Sequence, residues 1–323
     1  MRRIVALVLV GVGVAGLVLA AMLRFYATPR VVVAPLDQFS ETVSVAEGAT
    51  YLDVGELELA EDRTLVATRT VRGDVGAGTD DTAVWDVFVK IIDPDKPGSG
   101  EDQLVSATTD RVAFDRRSSE AVNCCDENVN GEPTAHGGIE YKFPFGAEQR
   151  TYQYFDTSLR RATDMEFVAE EEIDGLTVYR YEQRIEPTRI AEIDVPGSLV
   201  GDEEPSLTLD RYYANTRTVW VEPTTGVIVR GAESQLSTLR DDTGRDRLTI
   251  TEADLAFDDE TVAAQADVAR DGIAQARLVT TTGPLVLLVV GVIALGAGLV
   301  LALGGGSSGT GGRVAEPREP AYT

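Results

Sequence analysis

The residues of this chain that could carry redox or metal chemistry are few, and most of them lie in one short segment. Cys124 and Cys125 are adjacent and are the only cysteines, and His136 is the only histidine. Thiols outside the cytoplasm tend to oxidise. The pair could therefore form a disulfide between neighbours, bond to another chain, or stay free. Of these alternatives we expect the disulfide between Cys124 and Cys125.

The segment after the cysteines resembles the beginning of a calcium-binding loop. Asp126, Asn128 and Asn130 place oxygen ligands at loop positions one, three and five, and Gly131 follows at position six. Position twelve is Gly137, where a glutamate that binds through both carboxylate oxygens is needed. A shorter cation loop therefore remains the alternative to an Asn/Gly-rich surface turn, which is the interpretation we favour.

No combination of these residue types assembles a recognisable catalytic or cofactor site. One histidine without a separated cysteine pair does not supply the ligands of a Cys/His zinc site. No Gly-x-Ser-x-Gly nucleophile motif is present. Gly11–Gly16 matches the dinucleotide-binding letters, but it lies inside an apolar run with no preceding strand. We therefore predict a protein that is not an enzyme and has no cofactor, unless a cleft brings together carboxylates with shifted pKa values.

Two uncharged apolar runs, residues 4–23 and 284–303, lie near the ends of the chain. Each is close to the roughly 20 residues that a helix needs to cross a bilayer, and a helix satisfies its own backbone groups in lipid. We predict a transmembrane helix in each run. A cleaved signal peptide is the alternative for the first, but the run exceeds the usual length of about 7–15 residues, and Arg24–Tyr26 resembles an interfacial anchor.

The two predicted spans place both tails on the same side of the plasma membrane. The basic residues that flank the spans are equally frequent on both sides, so the orientation depends on Arg2 and Arg3, which resist translocation when they precede an apolar run. We therefore predict that residues 1–3 and the disordered Gly/Ser-rich tail, residues 304–323, are cytoplasmic. The segment between the spans, residues 24–283, is predicted to be extracytoplasmic.

The net charge of the chain and the small residues in its apolar runs indicate which molecules it can bind. The chain has 53 acidic and 29 basic residues, for a formal net charge of −24, which would repel nucleic acid. Membrane lipids are the predicted partners of the two spans. Small residues four apart permit close packing between the two spans or a homo-oligomer. These pairs are Gly11/Ala15, Gly16/Ala20, Ala294/Gly298 and Gly298/Ala302.

Between residues 24 and 257 the sequence favours antiparallel β-structure. β-branched runs such as Thr42–Val45 and Val84–Ile92 recur between turn residues. Ile173–Leu176 places Asp-Gly between two alternating segments, which is a strong hairpin signal. Glu222–Gly226 provides a second turn, in which proline presets φ and glycine supplies the left-handed residue. We predict a mainly β fold: one large antiparallel domain, sandwich or barrel-like, flanked by the two transmembrane helices.

An amphipathic helix is predicted directly before the second span, within residues 258–283. Its apolar positions recur at steps of three and four residues, and acidic residues at its beginning suit the helix dipole. Gly283 and Pro284 are expected to break this helix before the span. The apolar stripe consists of Val262, Ala266, Ala269, Ile273 and Ala276.

Six short motifs along the chain occur in a familiar combination: Met1–Ile4, Arg24–Tyr26, Val33–Asp37, Lys142–Gly146, Ile173–Leu176 and Val219–Gly226. With these motifs the chain resembles the PorA-type porin family of actinobacteria, two-span envelope proteins that are largely uncharacterised. The resemblance covers nearly the whole chain and implies a channel in the cell envelope. None of the motifs carries chemistry by itself, so no functional residue is transferred.

Physical limits bear on the channel that the resemblance implies. Two helices without polar side chains cannot line an aqueous pore alone, and the β-rich domain is too charged for a lipid-facing barrel. A pore would therefore need several copies of the chain. One hypothesis is a two-pass envelope protein, not an enzyme, with a channel, transport or architectural role. The other is a lipid- or ligand-binding ectodomain tethered at both ends, which a continuous apolar groove or tunnel would favour.

Overall fold

The computed structural model describes residues 1–28 and 32–303 of the 323-residue chain. The predicted tail, residues 304–323, lies outside the described residues. Within the described part, residues 1–28 and 277–303 form one compact unit and residues 32–276 form another.

The secondary structure of the described residues confirms a mainly β fold with two long apolar helices near the ends of the chain. The helices are α1 (Arg2–Met22), α2 (Asp259–Arg277) and α3 (Gly283–Leu303), with π-helical turns at Leu23–Ala27 and Leu278–Thr282 and 3₁₀ turns at Gly100–Gln103 and Gly197–Val200. The strands are β1 (Phe39–Asp53), β2 (Glu58–Gly73), β3 (Thr82–Ile92), β4 (Leu104–Asp115), β5 (Asn128–Val129), β6 (Glu132–Pro133), β7 (Tyr152–Asp156), β8 (Arg161–Ile173), β9 (Leu176–Val195), β10 (Leu207–Glu222), β11 (Val227–Arg240) and β12 (Asp246–Phe257).

Helices α1 and α3 pack on each other through small residues. A Cβ added to Gly13 would lie 2.6 Å from the backbone nitrogen of Leu295, and one added to Gly16 would lie 3.1 Å from the Cα of Gly291. Larger side chains would therefore force the two backbones apart. An added Cβ on Gly11 meets no atom within 4 Å among the described residues, so only part of the predicted small-residue pattern forms this contact.

The remaining surface of both helices is apolar and exposed. Ile4 and Leu7 of α1 and Ile293 and Val300 of α3 are each about two-thirds exposed or more. Both helices are long and apolar enough to cross a bilayer. Insertion into lipid would remove this apolar surface from water, and no backbone group would lose its hydrogen bond, because a helix satisfies its own backbone groups.

The structure differs from the sequence-based expectation at Gly283 and Pro284, which are helical. The backbone N–H of Gly283 donates to the carbonyl of Leu278 across a π-helical turn, and Gly283 has φ −60° and ψ −55°. Proline at the second residue of α3 has no backbone N–H to donate to the preceding π-helical turn, yet the chain stays helical through it. A glycine before proline also removes the clash that usually disfavours helical backbone there.

The twelve strands form a single antiparallel sheet whose order is β6-β5-β4-β3-β2-β1-β12-β11-β10-β9-β8-β7. Most neighbours in this order are consecutive in sequence, and the β1–β12 pairing joins the first strand to the last. In antiparallel strands alternate side chains point to opposite faces, so this sheet has one continuous inner face and one continuous outer face.

Isolated backbone bridges connect β4, which lies next to the short β5–β6 hairpin, with β7 at the other end of the sheet, and so close the sheet into a barrel-like structure. Phe114 of β4 pairs with Ala121, Glu120 pairs with Ile139, and Ile139 pairs in turn with Tyr154 of β7. The backbone N–H of Ile139 donates to the carbonyl of Gln153 at 2.8 Å. These bridges give backbone hydrogen-bond partners to the edges of β4 and β7, and the closed sheet encloses its inner face.

Both hairpins predicted from turn residues are present. The β8–β9 turn consists of Asp174 and Gly175, with φ of 49° and 75°. Two consecutive positive φ values define the type I′ turn that Asp-Gly favours. The β10–β11 turn follows Glu222, and the carboxylate of Glu222 accepts hydrogen bonds from the backbone N–H groups of Thr224 and Thr225.

Helix α2 packs its alanine-rich stripe on the outer face of the sheet. Ala266 and Ala269 are fully buried against Val178 of β9 and Val229 of β11. Val262 and Ile273 extend the same contact. The amphipathic helix therefore covers its own domain, as its spacing predicts.

Candidate functional site

The closed sheet encloses a cavity of about 970 Å³, called the interior cavity below. This volume is at the upper end of the range of about 300–1,000 Å³ for pockets that bind small molecules. Its lining residues include Leu52 and Val54 around the end of β1, and Arg160 and Arg161 at the beginning of β8. Val54 is 74% exposed, so the interior cavity reaches the surface at this end of the sheet.

An aromatic cluster fills the interior at the opposite end of the sheet. Phe143, Tyr152 and Tyr181 are at most 2% exposed, and the Phe143 ring centroid lies 4.7 Å from that of Tyr181. The backbone N–H of Phe143 donates to the carbonyl of Gly226 at 3.1 Å, which holds the segment in place. The interior cavity is therefore blocked at this end and accessible at the other.

Aliphatic side chains form two sides of the interior cavity. Alternate residues of β2 to β4 contribute one side, and alternate residues of β12 contribute the other, because period-two alternation directs them inward. These residues are Leu65, Ala67, Val87, Val89, Ile91 and Val105 on the first side, and Ile250, Ala253 and Leu255 on the second.

A buried charge network centred on Arg217 crosses the interior. Arg217 Nε donates to Glu233 Oε1 at 2.9 Å, Nη2 to Asp156 Oδ2 at 3.1 Å, and Nη1 to Gln183 Oε1 at 2.6 Å. Burial alone would lower the pKa of Arg217, but the two carboxylates raise it above its ordinary value. Burial likewise opposes ionisation of Glu233, yet Arg217 lowers its pKa to about 2. Arg217 and Glu233 are therefore both charged at neutral pH.

Two other arginines in the interior cavity are less well partnered. The buried Nε atoms of Arg69 and Arg211 have no hydrogen-bond partner among the described residues. Arg69 lies 3.9 Å from Glu233, whereas Arg211 makes a single long contact, 3.5 Å, to the hydroxyl of Ser237. Burial lowers the pKa of Arg211, and no carboxylate offsets that effect. The lining of the interior cavity thus includes two guanidinium groups, those of Arg69 and Arg211, that are only partly paired within the described residues.

Beside the interior cavity, four buried side chains form the His136 cluster: Asp110, Glu127, His136 and Glu140. His136 Nε2 lies 2.9 Å from Asp110 Oδ1, and its Nδ1 lies 3.1 Å from Glu127 Oε2. Glu140 Oε2 is 3.8 Å from Nε2. Each of the four side chains is at most 6% exposed.

Electrostatics in the His136 cluster displace the pKa values of two of its members. Burial would lower the pKa of His136, but the carboxylates of Asp110 and Glu127 raise it to about 10. Burial raises the pKa of Glu140 well above its ordinary value, and Asp110 adds to this effect. The cluster therefore includes a buried carboxyl group with a shifted pKa beside a histidine, a feature that occurs at enzyme active sites. Since carboxylates engage both imidazole nitrogens, neither nitrogen is free to serve as a general base.

The structure joins the adjacent cysteines predicted as a disulfide. Cys124 and Cys125 are bonded through their sulfur atoms, with Cα atoms 3.8 Å apart. The carbonyl of Cys125 accepts a hydrogen bond from Arg111 Nε at 3.0 Å. The redox state of the pair in the exported protein stays a prediction.

Of the cation-loop candidates, Asp126 lies before β5, Asn128 within it and Asn130 directly after it. The side-chain oxygen of Asn128 accepts from the backbone N–H of Gly131, and that of Asn130 accepts from the N–H of Thr109. Two of the three proposed ligand oxygens thus stabilise the turn. Cation binding by this loop stays a prediction.

Sequence reasoning missed the His136 cluster because it treated the single histidine in isolation. Asp110 offered one signal. It precedes Val112 and Phe114 by two and four residues on β4, so it shares their inward face, and all three are buried. Glu127 is likewise buried although it lies in a segment that reads as an exposed turn.

Removal of the Arg217 side chain should destabilise the protein strongly. Arg217→Met leaves Asp156 and Glu233 buried without their cation, which costs about 3–5 kcal/mol at neutral pH. The difference in free energy of unfolding between the variant and the unmodified protein should decrease as the pH falls below about 4.5, because protonation removes the unpaired negative charge in the variant. Chemical unfolding of the detergent-solubilised protein at pH 7 and pH 4 measures both effects.

The matched control for this prediction is Arg184→Met. Arg184 pairs with Glu182 on the surface and its side chain is 73% exposed, so its loss should cost less than about 1 kcal/mol. Equal destabilisation by the two variants would contradict the importance of the buried network.

If the β-rich domain is exported, its adjacent cysteines should resist alkylation until a reductant is added. Each thiol has the other as its nearest partner in an oxidising compartment. The Cys124→Ser variant, which leaves one thiol, is the control that should react at once. Mass spectrometry after iodoacetamide treatment measures the outcome, and ready alkylation of the native protein would show free thiols.

Comparison with known proteins agrees with the architecture. Residues 5–300 match the family model described as Porin PorA. A protein named Porin PorA from Corynebacterium resistens is 30% identical, with 62% of this chain and 67% of the relative covered. One of the same name from Corynebacterium amycolatum is 28% identical, with 72% and 77% covered. Since the family model spans almost the entire sequence, this chain belongs to the PorA porin family.

Proposed function

We propose that this protein is a two-pass envelope protein that holds its β-rich domain outside the plasma membrane. The two apolar helices would span the bilayer, with residues 1–3 and 304–323 in the cytoplasm. Three observations support this topology. The surface of α1 and α3 is aliphatic and exposed, and most charged residues lie in the sequence segment between the two helices. Arg2 and Arg3 precede the first span and resist translocation.

We infer further that the β-rich domain binds an anionic amphiphile in its interior cavity and carries or presents it within the envelope. The observation that supports this most directly is the cavity itself, about 970 Å³ with aliphatic sides and arginines whose buried Nε atoms lack partners. Its aliphatic sides suit an acyl chain. A guanidinium without a carboxylate suits a carboxylate or phosphate headgroup.

Arg211 is the proposed anchor for the headgroup. It lies near the accessible end of the sheet, where Arg211 of β10 pairs with Ala191 of β9. Arg189 and Ile193 of β9 line the same part of the interior cavity. The aliphatic side formed by β2 to β4 extends inward from Leu65. An amphiphile would therefore place its charge beside Arg211 and its chain against β2 to β4.

A channel is the second candidate function, and the name Porin PorA of the corynebacterial relatives favours it. The two helices approach each other through glycines and contain no polar side chain over residues 4–23 and 285–303, so a pore would require several copies. Planar-bilayer recordings on the purified full-length chain distinguish this candidate, because a carrier produces no conductance steps.

An acidic lipid should copurify with the full-length protein and should depend on Arg211. Arg211→Gln removes a charge-assisted interaction worth about 1.5–3 kcal/mol, which corresponds to a loss of affinity of roughly 10- to 100-fold. Ala67→Trp should exclude the acyl chain by filling the aliphatic side. Mass spectrometry of organic extracts identifies the lipid and separates fatty acids from phospholipids.

Arg184→Gln is the matched control, since it removes an exposed guanidinium outside the interior cavity. Lipid content equal to that of the unmodified protein is expected. If Arg211→Gln and Ala67→Trp also retain full lipid content, the bound lipid belongs to the helices and the carrier proposal fails.

The topology proposal predicts the outcome of limited proteolysis on intact spheroplasts. External protease should degrade the segment between residues 24 and 283 and leave both tails protected, because only that segment would be accessible. Immunoblotting with tags at both termini measures the fragments. Recovery of an undigested central domain, under conditions that digest a known external protein, would place it in the cytoplasm.

A further inference from the structure

The His136 cluster groups carboxyl and imidazole side chains, which are the types that bind divalent metal ions, and one of its oxygens has no hydrogen-bond partner among the described residues. Asp110, Glu127 and Glu140 surround one imidazole, and all four side chains are buried. A buried polar atom without a partner is unfavourable, so that oxygen requires either a proton or a cation.

Glu140 distinguishes these two solutions. Its Oε2 atom is buried without a hydrogen-bond partner among the described residues, although the side chain is only 6% exposed. The atom points towards His136 Nε2 at 3.8 Å, beyond hydrogen-bond distance. A proton placed on Oε2 would itself need an acceptor. A cation between Glu140 and His136 would instead satisfy this oxygen directly.

We propose that Asp110, His136 and Glu140 bind one divalent transition-metal ion, with Zn²⁺ as the best-matched probe. One ligand atom from each residue lies within 4.8 Å of the other two. Zinc bonds of about 2.0–2.2 Å to nitrogen and oxygen place tetrahedral ligand atoms roughly 3.3 Å apart. The observed separations from Nε2, 2.9 Å to Asp110 and 3.8 Å to Glu140, bracket that value.

The surrounding groups supply the supporting hydrogen bonds that metal ligands need. Glu127 Oε2 lies 3.1 Å from Nδ1, so it can accept that proton and direct the Nε2 lone pair towards the metal. The hydroxyl of Tyr141 donates to Asp110 Oδ2 at 2.6 Å, which leaves Oδ1 for coordination. A carboxylate–histidine–metal arrangement of this kind fixes both the tautomer and the ring orientation.

Three protein ligands leave one tetrahedral position open, and the structure indicates its direction. Asp110, Glu140 and Tyr141 all line the interior cavity. The fourth ligand would therefore be water or an oxygen of a cavity ligand. Metal binding itself does not rest on the proposed carrier function, since the three protein ligands are complete without an amphiphile.

The test uses the full-length protein in detergent, stripped with EDTA and then titrated with Zn²⁺. One equivalent of zinc should bind, as measured by calorimetry and by elemental analysis after desalting. Glu140→Gln and His136→Gln should each lower the affinity at least 100-fold, because each removes a ligand. Glu127→Gln should lower it roughly 10- to 100-fold, since Glu127 only orients the imidazole.

Asp267→Asn is the control, because the Asp267 carboxylate is 76% exposed on α2, outside both the His136 cluster and the cation-loop candidate. It should leave zinc affinity unchanged. Co²⁺ binding to the unmodified protein gives a second readout that needs no variant, namely visible absorption bands of a low-coordinate nitrogen and oxygen site. The proposal is overturned if the unmodified protein binds no stoichiometric metal, or if Glu140→Gln binds it as tightly.

Discussion

Closure of the antiparallel sheet is the constraint on which the rest of the domain depends. Once Ile139 and Ala121 connect β4 to β7, the inward side chains of β1 to β4 and β7 to β12 face a common interior. Apolar side chains alone would fill such a space as a solid core. Here, instead, charged side chains on β2, β4, β10 and β11 point inward and line a cavity of about 970 Å³.

The inward charges are balanced to very different degrees, and this difference separates structural groups from candidate functional groups. Arg217 is bonded to two carboxylates and one amide, so it stabilises the interior only as a complete network. Within the described residues Arg211 has no carboxylate partner, whereas three carboxyl groups surround His136. An anion and a cation are the complementary ligands for these two places.

The family relationship and the cavity describe different parts of the same molecule. The PorA porin family includes both apolar helices and the β-rich domain, because the match extends over residues 5–300. The helices form a tight glycine-mediated contact without polar groups, whereas the domain supplies every buried charge discussed above. A transport role could therefore use the interior cavity of the domain, while the two helices anchor the protein and form no aqueous pore by themselves.

The sequence by itself determined the elements whose signals are local. The apolar runs, the Asp174-Gly175 hairpin and the alanine stripe of α2 were predicted because turn chemistry and periodicity act over a few residues. Closure of the sheet, the interior cavity and the His136 cluster were decided only by tertiary structure. The cluster joins β4, the turn before β5 and the segment before β7, and contacts between such separate segments leave no periodic trace in the sequence.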